Sequence, residues 1–194
     1  MKNQKIKEQF FDQGYLVLKK FVKKEKINNI LNSINNILVD ANGYSKSKKS
    51  IKNIDKNYLN LKKKNDKLRS QLYDSFKKLE CLSSVFQDNR ILNIIKKIMH
   101  GDIMLENTQI RIDDTNNDRI LAFHQELHQV SLINVTAWIP LRKLNKKIGG
   151  LEIIENSHKK GYLEHTKIKK KGDTSKINLK KYNFKKTKKI YINK

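Results

Sequence analysis

The run Phe123-His124-Gln125-Glu126 sets an imidazole and a carboxylate two residues apart. In an extended chain residues i and i+2 share a face with Cα atoms roughly 6.6 Å apart, so His124 and Glu126 can converge on one ion through bonds of about 2 Å. Gln125 then points the other way. His128 shares the face of the pair, but a separation of i, i+4 in a strand is roughly 13 Å, too far for one metal. In a helix His124 and His128 would pair, but a zinc-protease helix needs Glu directly after the first His, and Gln125 stands there. A His-x-carboxylate pair plus a distant second His is instead the facial arrangement of non-haem Fe(II) sites, which leaves three coordination positions open. The ordinary alternatives are a hydrogen-bonded core histidine for His124 and a surface ion pair for Glu126.

The elements around this pair follow from periodicity. Residues 9–12 read as the end of a short helix stopped by Gly14, and residues 15–18 as a strand. Over residues 24–39, Ile27, Ile30, Leu31, Ile34, Ile37 and Leu38 form one apolar helical stripe with Asn and Lys opposite, as in a helix packed on a sheet. Residues 40–66 are polar and without sustained period, which predicts a long lid or binding loop. Helices are predicted near residues 68–79 and 91–99, the second closed by Gly101 as a left-handed cap. Beyond Gly101 the period becomes that of strands, over residues 103–112, 120–129, 134–141 and 151–154, with another strand beginning at residue 189. Helices first and strands later predict an α+β protein whose helices cover one side of an antiparallel sheet.

The composition bears on partners and compartment. The 194 residues suit one domain and are too few for two full ones. Lys and Arg number 43 against 19 Asp and Glu, a formal charge of +24, yet only five of the 43 are Arg, the residue suited to bidentate phosphate and base readout. Residues 1–99 carry +14 and residues 159–194 carry +12, while residues 100–158, which hold His124 and Glu126, carry −2. The basic charge therefore surrounds the chemistry, and the shared A/T-rich codons of Lys, Asn and Ile give it a genomic origin as well. The single cysteine, Cys81, excludes an intrachain disulfide, and the N-terminal residues lack the apolar stretch of a secretion signal, so a cytoplasmic protein is expected. No apolar run approaches the roughly 18 residues of a membrane span.

Three further segments join the first: Val135-Thr136-Ala137-Trp138-Ile139-Pro140-Leu141, Gly149-Gly150-Leu151-Glu152-Ile153-Ile154, and Asn156-Ser157-His158-Lys159-Lys160-Gly161. In order and spacing these, together with residues 123–126, resemble the phytanoyl-CoA dioxygenase family of Fe(II)/2-oxoglutarate-dependent oxygenases. Residues 11–18 and 98–101 resemble its opening strand and the helix end before its first core strand. The resemblance implies a double-stranded β-helix (jelly-roll, cupin-like) core with N-terminal helices packed on one sheet. It also implies a single oxygenase domain over 1–194, mainly helical to residue 100 and jelly-roll strands after it. Fe(II), with 2-oxoglutarate as co-substrate, would hydroxylate an unactivated C–H of a small organic or acyl-type substrate, using dioxygen and releasing succinate. On this resemblance His124 and Glu126 are the first two metal ligands, Glu standing where Asp is commoner and reaching about one methylene further. Thr136 and Gln109 match co-substrate contacts, and Trp138 lines the same pocket or packs as a core aromatic. His158 matches a turn signature, and His165 is not the metal residue of the pattern. The distal His, and the Arg that clamps 2-oxoglutarate, follow strands beyond Lys194, so a C-terminally truncated member that binds iron poorly alone is expected.

Two alternatives from other classes stand beside this one: a lysine-rich protein for nucleic acid or an anionic surface, and a catalytically dead family member. Lysine runs at 46–49, 62–64, 169–171 and 185–189 motivate the first. No specific nucleic-acid partner is expected. Retention on mixed-sequence DNA at low salt should vanish on a modest salt increase without sequence preference, measured by filter binding across ionic strengths; retention of one sequence at physiological salt would reverse this reading.

Overall fold

A computed structural model of the chain describes residues 2–44, 50–113, 121–126, 134–166, 176–184 and 187–192. In chain order its helices are α1 (Lys2–Gln13), α2 (Lys24–Ala41), α3 (Ile54–Lys64), α4 (Asp66–Ser75), the single turn α5 (Ser83–Phe86) and α6 (Asn89–Met99). Its strands are β1 (Leu151–Ile153), β2 (His165–Thr166), β3 (Lys176–Ile177) and β4 (Lys188–Ile190). The chain divides into two compact units, one of Lys20–Lys96 with Gly101–Asp113, the other of Met1–Lys19, Lys97–His100 and Asp114–Lys194.

The first unit is helical. Ile27, Ile30, Leu31, Ile34 and Leu38 of α2 are buried, as their spacing predicts, and the helix extends two residues past the predicted end. Asn35 lies fully buried beside that stripe instead of on the polar side. It is satisfied across the interface with α3, where Asn57 Nδ2 donates to Asn35 Oδ1 at 2.9 Å, and Asn35 Nδ2 donates to Ser50 O at 3.2 Å. Asn42 donates from Nδ2 to Leu38 O and Asn57 O, at 2.7 and 3.0 Å. The α2–α3 contact is thus apolar with a buried amide seam, and the seam fixes register because a slipped pairing strands an amide in the core.

Helix α3 corrects the predicted loop over 40–66. Ile54, Tyr58 and Leu61 are buried at i, i+4, i+7. The intervening lysines read as loop composition but are good helix formers whose charged ends stay in water. Helix α4, with its short continuation at Phe76–Lys78, matches the predicted 68–79 helix and starts at Asn65, whose Oδ1 accepts from Leu68 N at 2.9 Å. Asp88 caps α6 in the same way, accepting from Arg90 N at 3.0 Å, and is also bonded by Lys26 of α2 at 2.9 Å. At the other end of α6 the left-handed position falls on His100, φ 59°, and not on Gly101. No helix of the described residues is long and apolar enough to cross a membrane.

The second unit holds α1 and the strands. Gly14 stops α1 at φ 85°, its N–H donating to Phe10 O at 2.7 Å. The Asn156–Gly161 turn then supplies donors to the exposed carbonyls of that helix end: Asn156 N to Gln13 O at 3.0 Å and His158 Nε2 to Phe11 O at 2.9 Å. Lys159 pairs with Asp12 at 2.7 Å. A Cβ on residue 14 would collide with the His158 ring. The expected strand over 15–18 is extended but carries no ladder.

Strands β1 and β4 pair antiparallel with Leu151 opposite Ile190. Gly149 takes φ 97° to enter β1, and at Gly150 a Cβ would meet Ile190 O at 2.5 Å, so both glycines of the pair are dictated. Tyr15 and Lys188 both donate to Glu155 Oε1, at 2.7 and 2.8 Å, and hold that carboxyl below its ordinary range. Strands β2 and β3 form a second antiparallel pair.

Two-stranded sheets of two or three residues are less than the predicted strands. The described parts of 103–112, 120–129 and 134–141 form no ladder, and residues 120 and 127–129 lie outside the described residues. Alternation of residue types sets an extended backbone, but a ladder also needs a partner strand at hydrogen-bonding distance.

Two measurements check this account. Asn57→Leu should cost about 1–3 kcal/mol in urea unfolding, with the Asn35→Leu/Asn57→Leu double variant less destabilised than the two singles combined, because removing both amides leaves neither stranded opposite the other. Arg90 and then Lys26 hold the Asp88 carboxyl well below its ordinary 3.8. Its contribution to stability is therefore complete above that value and fades as pH falls below it, so the acid loss of stability should be shallower in Asp88→Asn.

Candidate metal centre

The segment 121–126 belongs to the strand-bearing unit, and its backbone is held by Ile177 of β3, whose N–H donates to Phe123 O at 2.9 Å. It forms no ladder, and Glu126, its last described residue, stands in a 3-10 turn. His124 Nε2 and Glu126 Oε1 face each other at 3.4 Å, with His124 largely buried and Glu126 more open. His124 Nδ1 lies 2.8 Å from Ala122 O. A carbonyl only accepts, so Nδ1 carries a proton, and Nε2 is the ring nitrogen that faces Glu126.

The spacing suits a shared ion. Two donors each about 2.1 Å from one metal and at right angles are about 3 Å apart, so 3.4 Å asks for little movement. One imidazole nitrogen and one carboxylate oxygen match the composition of an Fe(II) facial site as far as they go. Among the described residues no group of three His, Cys, Asp or Glu side chains converges, and His124 and Glu126 are two such groups side by side. His128 lies outside the described residues.

Gln125 makes three hydrogen bonds to the segment 161–165. Its backbone N–H donates to His165 Nε2 at 2.9 Å, its Nε2 to Gly161 O at 2.9 Å, and its Oε1 accepts from Leu163 N at 2.8 Å. His165 is fixed in turn, with Nδ1 donating to Leu163 O at 2.7 Å. Leu163 is buried, and Glu164 N donates to the Tyr182 hydroxyl at 2.8 Å. The sequence singled out neither Gln125 nor His165 for this role. The available signal was the alternation itself, since a polar side chain on the inner side of a strand must find partners.

The remaining site residues stand elsewhere. Thr136 and Trp138 lie in the ladder-free segment 134–140, both exposed. Gln109 belongs to the helical unit, exposed between Thr108, which donates to Lys77 O at 2.9 Å, and buried Ile110. His158 serves the end of α1, the structural role its turn signature implied.

A metal-compatible His-x-Glu pair therefore sits in a unit whose dictated glycine pair and Asn-Ser-His turn occupy the places set by sequence. Comparison with known proteins gives the class: a model of the phytanoyl-CoA dioxygenase (PhyH) family matches residues 10–190. The chain belongs to that family, which typically comprises Fe(II)/2-oxoglutarate-dependent oxygenases of cupin-like fold. No curated protein and no solved structure matches the chain.

Proposed function

We propose that this chain is an Fe(II)- and 2-oxoglutarate-dependent dioxygenase whose first two metal donors are His124 and Glu126, acting on a small organic or acyl-type substrate. The observation that carries the reading is the 3.4 Å approach of His124 Nε2 to Glu126 Oε1, with the histidine tautomer set by Ala122 O. Family membership over nearly the whole chain supports the same reading.

In this proposal the Ala122 carbonyl orients the His124 ring and raises its basicity as a donor, the usual part of a second partner on a metal-binding histidine. The Glu126 carboxylate adds the negative charge that favours a divalent ion over solvent. The third protein donor is the distal histidine of the family pattern, which is not among the described residues. The hydroxyl of Thr136 is a group of the kind that holds a carboxylate of 2-oxoglutarate, and Trp138 offers an apolar wall for the same co-substrate. Bound Fe(II) supplies the redox chemistry that couples substrate hydroxylation by dioxygen to decarboxylation of 2-oxoglutarate into succinate and carbon dioxide. The proposed domain is one oxygenase domain over 1–194, mainly helical to residue 100 and with jelly-roll strands after it.

Anaerobic Fe(II) titration tests the assignment. His124→Ala and Glu126→Ala should each weaken binding by at least the roughly 10–100-fold that loss of an outer partner costs a metal site. Unchanged affinity in both variants would remove these residues from the site, and succinate formation surviving in both would remove them from the reaction.

A further inference from the structure

Neither donor of the pair is held by a ladder, yet both are displayed from a short segment that must keep its orientation if they are to meet one ion. We propose that Gln125 and His165 are positioning residues for this pair, an inference that rests on the metal-centre reading of His124 and Glu126.

The peptide plane between His124 and Gln125 is gripped at its N–H by His165 Nε2, at 2.9 Å. The Gln125 side-chain amide imitates a backbone peptide, giving Nε2–H to Gly161 O and taking Leu163 N–H at Oε1, at 2.9 and 2.8 Å. These bonds fix the residue between the donors from both its main chain and its side chain. Holding residue 125 by its main chain and its side chain fixes the backbone from which its two neighbours, 124 and 126, project.

His165 suits this task through its tautomer. Leu163 O, which only accepts, lies 2.7 Å from Nδ1, so the neutral ring keeps its proton there and turns the Nε2 lone pair to the Gln125 N–H. The ring nitrogen that could ligate an ion is thereby engaged with the backbone, and His165 acts through Gln125 and not on the metal. The segment carrying His165 is itself anchored by buried Leu163, by the bond from Glu164 N to Tyr182 and by the pairing of β2 with β3. Partners of this kind set the precision of a metal site, because a ligand displaced by about half an ångström binds less well.

The test is a titration of the full chain with Co(II) alone, read by its visible absorption, on the wild type and on Gln125→Leu, His165→Phe and His165→Gln. Gln125→Leu and His165→Phe should bind about 10–100-fold more weakly, whereas His165→Gln, whose amide oxygen can accept the Gln125 N–H, should recover to within about threefold. The absorption band of Co(II)-loaded His165→Gln should match the wild type, because no metal ligand has changed. Wild-type affinity in Gln125→Leu and His165→Phe overturns the positioning role. So does a shifted band or lost binding in His165→Gln, which would make His165 a ligand. If Gln125→Leu fails to fold, judged by circular dichroism, the two His165 variants decide alone. A wild type that binds no Co(II) overturns the metal-centre reading and this role with it, whereas normal wild-type binding with unaffected variants overturns this role only.

Discussion

The hydrogen bonds between residues 123–125 and the chain from Gly161 to Ile177 are the constraint on which the strand-bearing unit turns. Backbone N–H and C=O groups removed from water must find partners. Without a ladder of its own, the segment 121–126 finds them in β3, in the His165 ring and, through the Gln125 amide, in the Gly161–Leu163 backbone. Every one of these attachments falls on a residue other than His124 and Glu126. The pair beside them stands close enough to share an ion.

The same economy recurs at the end of α1. A helix C-terminus leaves carbonyls without intrahelical donors, and here the Asn156–Gly161 turn, some 140 residues later, supplies them. Gly14 must lack a Cβ both for its positive φ and for the His158 ring against it. The signature turn is thus a structural clasp, and its proximity in sequence to β2 ties the end of α1 to the part of the chain that holds Gln125. In the helical unit, order comes from a different device, the amide seam of Asn35 and Asn57 within an apolar contact.

Legibility differed by element, for physical reasons. Helix α2 could be read because its stripe repeats within one segment, and an amphipathic helix satisfies its own backbone. Asn35 could not, since a buried amide is recognisable only from its partner 22 residues away. Helix α3 was masked by lysines that suit a loop and a helix face equally. The left-handed residue after α6 was expected at Gly101, the residue type that adopts it at least cost, and stands at His100. Strand-like alternation over 103–112 and 134–141 predicted strands, yet the described residues there form no ladder, because pairing is a property of two segments.

The sequence by itself pointed to the family, set His124 and Glu126 two residues apart and placed a glycine pair at 149 and 150. All of these are local in residue type and spacing. Only the tertiary structure decided that Glu126 Oε1 meets His124 Nε2, which tautomers His124 and His165 adopt, and that His165 braces the backbone between the donors. Those outcomes depend on which carbonyls and amides lie across from one another after folding, and a linear chain does not record distances between residues 40 positions apart.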